Sequence, residues 1–270
     1  HVRFDEGEGG VSPLSTLPVK ALLLVASIMT EEALYDNMVH MTHPSLKKTI
    51  QYALEANDLN TVAALAKENR KALSLLVRLA YDKETLVGWR AIKAVGLAAR
   101  QLIKTDYEYL RETARKLLWS LSDESGGIGW AAPELLGEIV SADPRRFSDV
   151  IPLIASAFDV EEEVFRPGVV YALSRIAETA PEAAASYQKI ISLSLADKDP
   201  LLKIYALEFV RGLWSAARAG NLWSGEYRDR VRSLAEHLMS DRGEAWVYKG
   251  DGFENVQVGE RAEEVLRTIH

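Results

Sequence analysis

From Glu31 onward, apolar residues recur every three or four positions in segments of roughly a dozen to twenty residues, divided by short Asp, Pro, Gly and Ser punctuation. That spacing predicts helix after helix. The starts carry plausible caps: Asp58 before a helix over 59–67, Asp106 before 107–121, and Asp143-Pro144 before 145–158. Nothing before residue 245 alternates convincingly with period two. The exception is Trp246 to Val258, where Gly250-Asp251-Gly252 can turn a small hairpin or an ordered loop before a last helix over 259–269.

The helices repeat. Trp89-Arg90-Ala91-Ile92-Lys93-Ala94-Val95-Gly96 and Trp130-Ala131-Ala132-Pro133-Glu134-Leu135-Leu136-Gly137 both read Trp-x-Ala-x-x-x-x-Gly, 41 positions apart. Two further copies start at Pro167 and Ile204, each 37 positions after the one before. A period near 40 points to stacked helical pairs rather than one closed core. Counting each copy from zero, offsets +2, +5, +6 and +9 are apolar in all four, and at 100° per residue they share one helix face. That face is the expected core.

Offsets +1, +4 and +8 point the other way, and equivalent helices of a stack align such faces into one surface. The expected outward stripe carries Arg90, Lys93, Glu134, Glu138, Tyr171, Arg175, Tyr205 and Glu208. Three are basic, three acidic and two are tyrosines, so this is a mixed surface and not a phosphate track. Trp89 and Trp130 sit about two turns from Gly96 and Gly137 on a flank opposite the core face. There each tryptophan either packs on the neighbouring repeat or stands exposed as an aromatic anchor.

The copy that begins Asp197-Lys198-Asp199-Pro200-Leu201-Leu202-Lys203 and runs into an alanine-containing helix resembles HEAT repeats, the family that includes the phycobilisome-lyase-type repeats. More narrowly, Leu118 to Ile139, with Trp-Ser-Leu-Ser-Asp-Glu-Ser-Gly-Gly-Ile-Gly-Trp-Ala-Ala-Pro-Glu at its centre, is similar to a family of HEAT-like proteins from anaerobic prokaryotes. The resemblance covers roughly residues 45–270. It implies an all-α fold, a right-handed α-α superhelix of about five to six helical pairs of the HEAT/armadillo kind. It brings no reaction with it. HEAT-like metal hydroxylases carry paired His-Glu steps, and this chain has no His-Glu dipeptide. HEAT-like DNA glycosylases need a basic groove, and the stripe here is neutral.

Composition narrows the function further. With 32 basic against 39 acidic residues the net charge is −7, which disfavours a nucleic-acid partner. There is no cysteine, so thiolate metal sites, disulfides and cysteine nucleophiles are excluded. The apolar run from Lys20 to Met29 is too short to cross a bilayer. Met29-Thr30-Glu31-Glu32 reads as a natural start, so residues 1–28 are expected to be a leader or upstream extension, or else a first helix, with a single repeat domain over 29–270. His40 and His43 have spacing for one helix face but no third ligand nearby, and no metal or other cofactor is expected. The short basic clusters at Arg111, Arg115 and Lys116 and at Arg228, Arg230 and Arg232 have acidic neighbours and read as solvated helix faces.

Ser122 to Trp130 is the remaining candidate, with three glycines in four positions beside Asp123 and Glu124. Either Asp123 and Ser125 cap a helix at a tight connection, or the freed backbone and the two acids hold a cation, an amine or a basic partner side chain. No phosphate-binding loop, dinucleotide fingerprint or nucleophile elbow is present. The chain therefore reads as a non-enzymatic cytoplasmic scaffold that binds a protein partner along Trp89, Arg90, Lys93, Glu134, Glu138, Tyr171, Arg175, Tyr205 and Glu208. The alternative is a ligand- or cofactor-handling protein, or an enzyme accessory, that uses the loop Asp123, Glu124 and Trp130.

Overall fold

The structure, a computed structural model, describes residues 45–121, 131–159, 163–217 and 223–269. Among them the helices fall into six pairs. The first three are α1 (Leu46–Glu55) with α2 (Leu59–Glu68), α3 (Arg70–Leu79) with α4 (Leu86–Thr105), and α5 (Tyr107–Ser120) with α6 (Ala132–Ala142). Then come α7 (Ile151–Ser156) with α8 (Arg166–Thr179), and the short α9 (Pro181–Ala184) and α10 (Gln188–Leu195) with α11 (Pro200–Ala217). The last pair is α12 (Gly225–Leu238) with α13 (Val258–Ile269), and between its members lies a hairpin of β1 (Glu244–Lys249) and β2 (Gly252–Gln257). The second members form an inner row in which α2, α4, α6, α8, α11 and α13 each pack on the next. The architecture is an all-α solenoid.

Side-chain caps set several of the helix starts. Asp58 Oδ1 accepts from the Thr61 N–H at 3.1 Å, Thr85 Oγ1 from the Gly88 N–H at 3.1 Å and Ser224 Oγ from the Tyr227 N–H at 3.2 Å. Two expected caps behave differently. Asp106 precedes α5 but gives its carboxylate to Arg70, at 2.7 and 3.0 Å, and makes no side-chain cap. The helix expected over 145–158 shrinks to α7 after a run of turns, although Asp143 Oδ1 takes the Arg146 N–H at 3.2 Å as a cap would.

The sixteen apolar positions of the four copies are all fully buried, from Ala91 in α4 to Leu213 in α11. The opposite face is a correction. Arg90, Glu134, Glu138, Tyr171 and Tyr205 are buried too, and Glu138 is 2% exposed. The side chains of Lys93, Arg175 and Glu208 keep 26%, 20% and 19% of their surface. The inner helices do align these residues, as the offsets require, but they do not present them to water. Every residue from Ala132 to Ser141 of α6 is buried, since α4, α8 and α5 surround it and side chains of α4 and α8 meet over its fourth side.

Such crowding needs small residues where helices touch. At Gly137 a Cβ would lie 2.5 Å from Ala172 Cα, so α6 and α8 meet backbone to backbone. At Gly96 a Cβ would collide with the Glu138 carboxylate. The shared glycine of the two Trp-x-Ala-x-x-x-x-Gly copies is thus a close-approach position in both. Bonds between units follow the repeat step: Tyr109 Oη donates to Arg70 O (2.7 Å, 39 positions away) and Tyr227 Oη to Gln188 O (2.9 Å, also 39). Lys203 reaches Asp241 at 2.6 Å, 38 positions away.

Gly137→Ala is expected to lower stability by about 1–3 kcal/mol through overpacking against α8. Gly225→Ala, where a Cβ meets nothing within 4 Å, should be neutral or slightly stabilising. Urea titrations of both variants check the pair; equal effects would contradict the close approach.

Candidate functional site

Glu138 sits at the centre of the inner row. Its Oε1 accepts from Tyr171 Oη at 2.6 Å, Lys93 Nζ at 2.7 Å and Arg175 Nε at 3.0 Å. One carboxylate oxygen therefore joins α4, α6 and α8. Burial by itself would raise the Glu138 pKa, but the charges of Lys93 and Arg175 and the bonds from Lys93 and Tyr171 reverse this and hold it below the ordinary value. Burial works against the Arg175 charge as well, and Glu138 outweighs it, so the guanidinium stays protonated. Burial first and Glu138 second push the Tyr171 phenol well up, which keeps it a neutral donor.

Two further acids of the row have their own cations. Glu134 Oε1 takes Lys83 Nζ at 2.8 Å, while its buried Oε2 has no hydrogen-bond partner among the described residues. A Cβ on Gly168 would lie 2.7 Å from both oxygens of that carboxylate, so the glycine at the start of α8 makes its room. Glu208 pairs with Arg261 of α13 at 2.8 Å and with Arg211. Among the described residues Arg90 meets no carboxylate. It donates to Leu54 O at 3.0 Å and Glu55 O at 2.8 Å, the negative end of α1, and to Asp251 O at 2.9 Å.

An aromatic line covers the ion pairs. Trp89 meets Tyr171 edge-on at 5.2 Å, and Tyr171 meets Tyr205 at 5.4 Å. Trp89 belongs to α4 and Tyr171 to α8, so their contact spans α6, and the inner row must curve toward this face. The hairpin lies on it. Tyr248 stacks on Trp89 at 5.7 Å and 7°, and Asn57 Nδ2 donates to Asp251 Oδ1 at 3.2 Å. Trp89 is consequently 6% exposed, the packed alternative of the two open for it.

The structure thus brings Trp89, Arg90, Lys93, Glu134, Glu138, Tyr171, Arg175, Tyr205 and Glu208 onto one continuous face. Asp123, Glu124 and Trp130 lie outside the described residues, as do His40, His43 and residues 1–28. Lys83, Arg261 and Asn57 belong to the face but did not stand out in the sequence, where Tyr248 and Asp251 stood out only as parts of the hairpin. Lys83 precedes the helix that defines its copy, and Arg261 follows the hairpin, which breaks the 37-residue step. The hairpin was marked by its Gly250-Asp251-Gly252 turn, beside which Tyr248 and Phe253 pack together at 6.1 Å. Among the described residues no cluster of three or more His, Asp or Glu could hold a metal, and no helix is long and apolar enough to cross a membrane.

No family model matches the chain, and no curated protein does. An engineered protein of known structure is similar in fold, with 15% identity, 83% of this chain and 89% of that one covered, and a TM-score of 0.50. A designed armadillo repeat protein aligns with 15% identity over 92% of this chain and 99% of its own, at a TM-score of 0.49. An archaeal HEAT-like repeats protein from Thermococcus onnurineus NA1 aligns with 14% identity over 84% and 98%, at 0.37. Identities this low bear on fold alone, and the solenoid itself is read from the packing of α1 to α13.

A carboxylate whose pKa is lower folded than unfolded contributes its stability above the unfolded value, near ~4.3 for Glu, and loses it as pH falls through the folded value. Glu138→Gln should therefore cost about 3–5 kcal/mol at neutral pH, since Lys93 and Arg175 lose their shared counter-charge. The gap to the wild type should narrow in acid below about pH 4. Urea titrations at both pH values measure it; a gap that stays constant would remove Glu138 from the acid limb.

Proposed function

We propose that the chain is a non-enzymatic interaction scaffold that holds a protein partner along its inner row, the face running from Trp89 to Glu208. Its narrower kinship with the HEAT-like proteins of anaerobic prokaryotes is part of the same proposal. The observation that carries the reading is the continuity of this face: charged and aromatic side chains of α4, α6, α8, α11 and α13 touch in one unbroken line. Nearest-neighbour stacking makes such lines, and an extended partner is what a line of that length can grip.

Access to the face is through its rim. Lys93, Arg175 and Glu208 are only partly covered, and Trp246 of β1 is 66% exposed on the hairpin that lies over the row. An exposed tryptophan on an ordered element is suited to anchor a protein partner. The mixed charges favour a partner of mixed charge over a polyanion.

Affinity capture from native lysate tests the reading with Trp246→Ala and, on the outer row, Leu193→Ala, whose parent residue is 45% exposed. A partner retained by the wild type should fall about tenfold or more with Trp246→Ala and persist with Leu193→Ala, the loss expected of a binding hot spot. A partner lost only with Leu193→Ala would move the interface to the other side and overturn the proposal.

A further inference from the structure

Most bonds between units span about one repeat step, and Lys93 reaches Tyr171 across two, but the hairpin reaches further. Its tip reaches Arg90, 161 positions away, and Asn57, 193 and 194 positions away. It therefore crosses from the last helical pair to the first. We propose that this hairpin is a releasable strap: it swings off the inner face as a unit while the helical array stays folded, and so uncovers the Trp89–Tyr171–Tyr205 line and the ion pairs around Glu138.

Three observations carry the proposal. The first is the base. The Val258 N–H donates to Gly243 O at 2.9 Å and the Gly259 N–H to Asp241 O at 3.0 Å. These bonds clasp the two ends of the hairpin to each other. Lys203 pins Asp241 to α11, and a Cβ on Gly259 would lie 2.6 Å from Met239 O. The pair α12–α13 is thus closed below the hairpin, and lifting the strands interrupts no helix-to-helix contact of the array.

The second is the poor burial of the strands. Of the twelve strand residues only Val247, Tyr248 and Val256 are buried, whereas α6 buries all ten residues from Ala132 to Ser141. A two-stranded hairpin is marginal without packing, and this one rests on those three residues and on its contacts with α11 and α13. The third is the chemistry at the tip. Arg90 and Asn57 take backbone carbonyls of Asp251 and Gly250, Asn57 takes the Asp251 side chain, and Tyr248 stacks on Trp89. Among the described residues no ion pair joins the tip to the first pairs. Segments with few buried contacts open locally at lower cost than the global transition.

The strap is a property of the chain alone and does not depend on a partner binding the row. Hydrogen exchange followed by mass spectrometry on the full chain, across low urea concentrations, decides it. Expected is exchange in residues 244–257 at least about a hundredfold faster than in α6 and α8, with almost no urea dependence. Two variants loosen the tip separately: Tyr248→Ala, and Asn57→Gly, which keeps the positive φ of 57° at that position. Each should speed strand exchange by about tenfold and leave α6 and α8 unchanged. Strand exchange that matches α6 and α8 in rate and urea dependence would overturn the proposal. So would variants that accelerate the helices along with the strands.

Discussion

The inner row depends on one buried carboxylate with three donors. Glu138 accepts from Lys93, Tyr171 and Arg175, and so links three successive inner helices through a single atom. Its burial is costly, and only nearby cations and hydrogen bonds offset that cost. The arrangement fixes the spacing of α4, α6 and α8 more strictly than apolar contacts would, because apolar packing tolerates sliding and a three-way charge-assisted site does not. Gly96 belongs to the same constraint, since any side chain there would occupy the carboxylate's place. Gly137 lets the α8 backbone close in from the other side. The curvature that lets Trp89 touch Tyr171 across α6 follows from that closeness.

A solenoid is ordinarily bonded between neighbours alone, and most of this chain obeys that rule. Arg70–Asp106, Arg111–Asp149 and Lys203–Asp241 repeat the same kind of link from one unit to the next, 36 to 38 positions apart. Stability in such an array is the sum of units and their interfaces, and its ends are free to move relative to each other. The hairpin removes part of that freedom by tying its tip to α1 and α4. Arg90 is the residue on which both ends meet: the carbonyls that finish α1 and the tip carbonyl of Asp251 share one guanidinium. Arg carries five donors in a fixed fork, and this position uses three bonds to backbone oxygens from two distant segments.

These two features give the inner face its character. Charged groups normally mark a solvated surface; here they form a neutralised, half-dry layer under aromatic rings. Lys93, Arg175 and Glu208 keep a fraction of their surface at its rim, and Trp246 stands out beside it. The layer is rigid where α6 crosses it and lightly covered where the hairpin lies. A surface of this kind can be occluded or offered by moving fourteen residues, 244–257, with no rearrangement of the helices beneath.

Much of the fold was legible in the sequence. The apolar offsets of the four copies marked sixteen positions that are all fully buried, because helical periodicity and burial are both local properties of a pattern. The hairpin at its Gly250 turn and the closing helix were legible for the same reason. Exposure of the opposite face was not. Whether Glu138 or Tyr171 meets water depends on how sharply the row curves and on what lies across it, and both are set by contacts between residues 37 to 194 positions apart. The periodic pattern assigns a side of a helix; only the tertiary structure decides what stands on that side. Here it is the chain's own hairpin, brought back over the row by Arg90, Asn57 and Trp89.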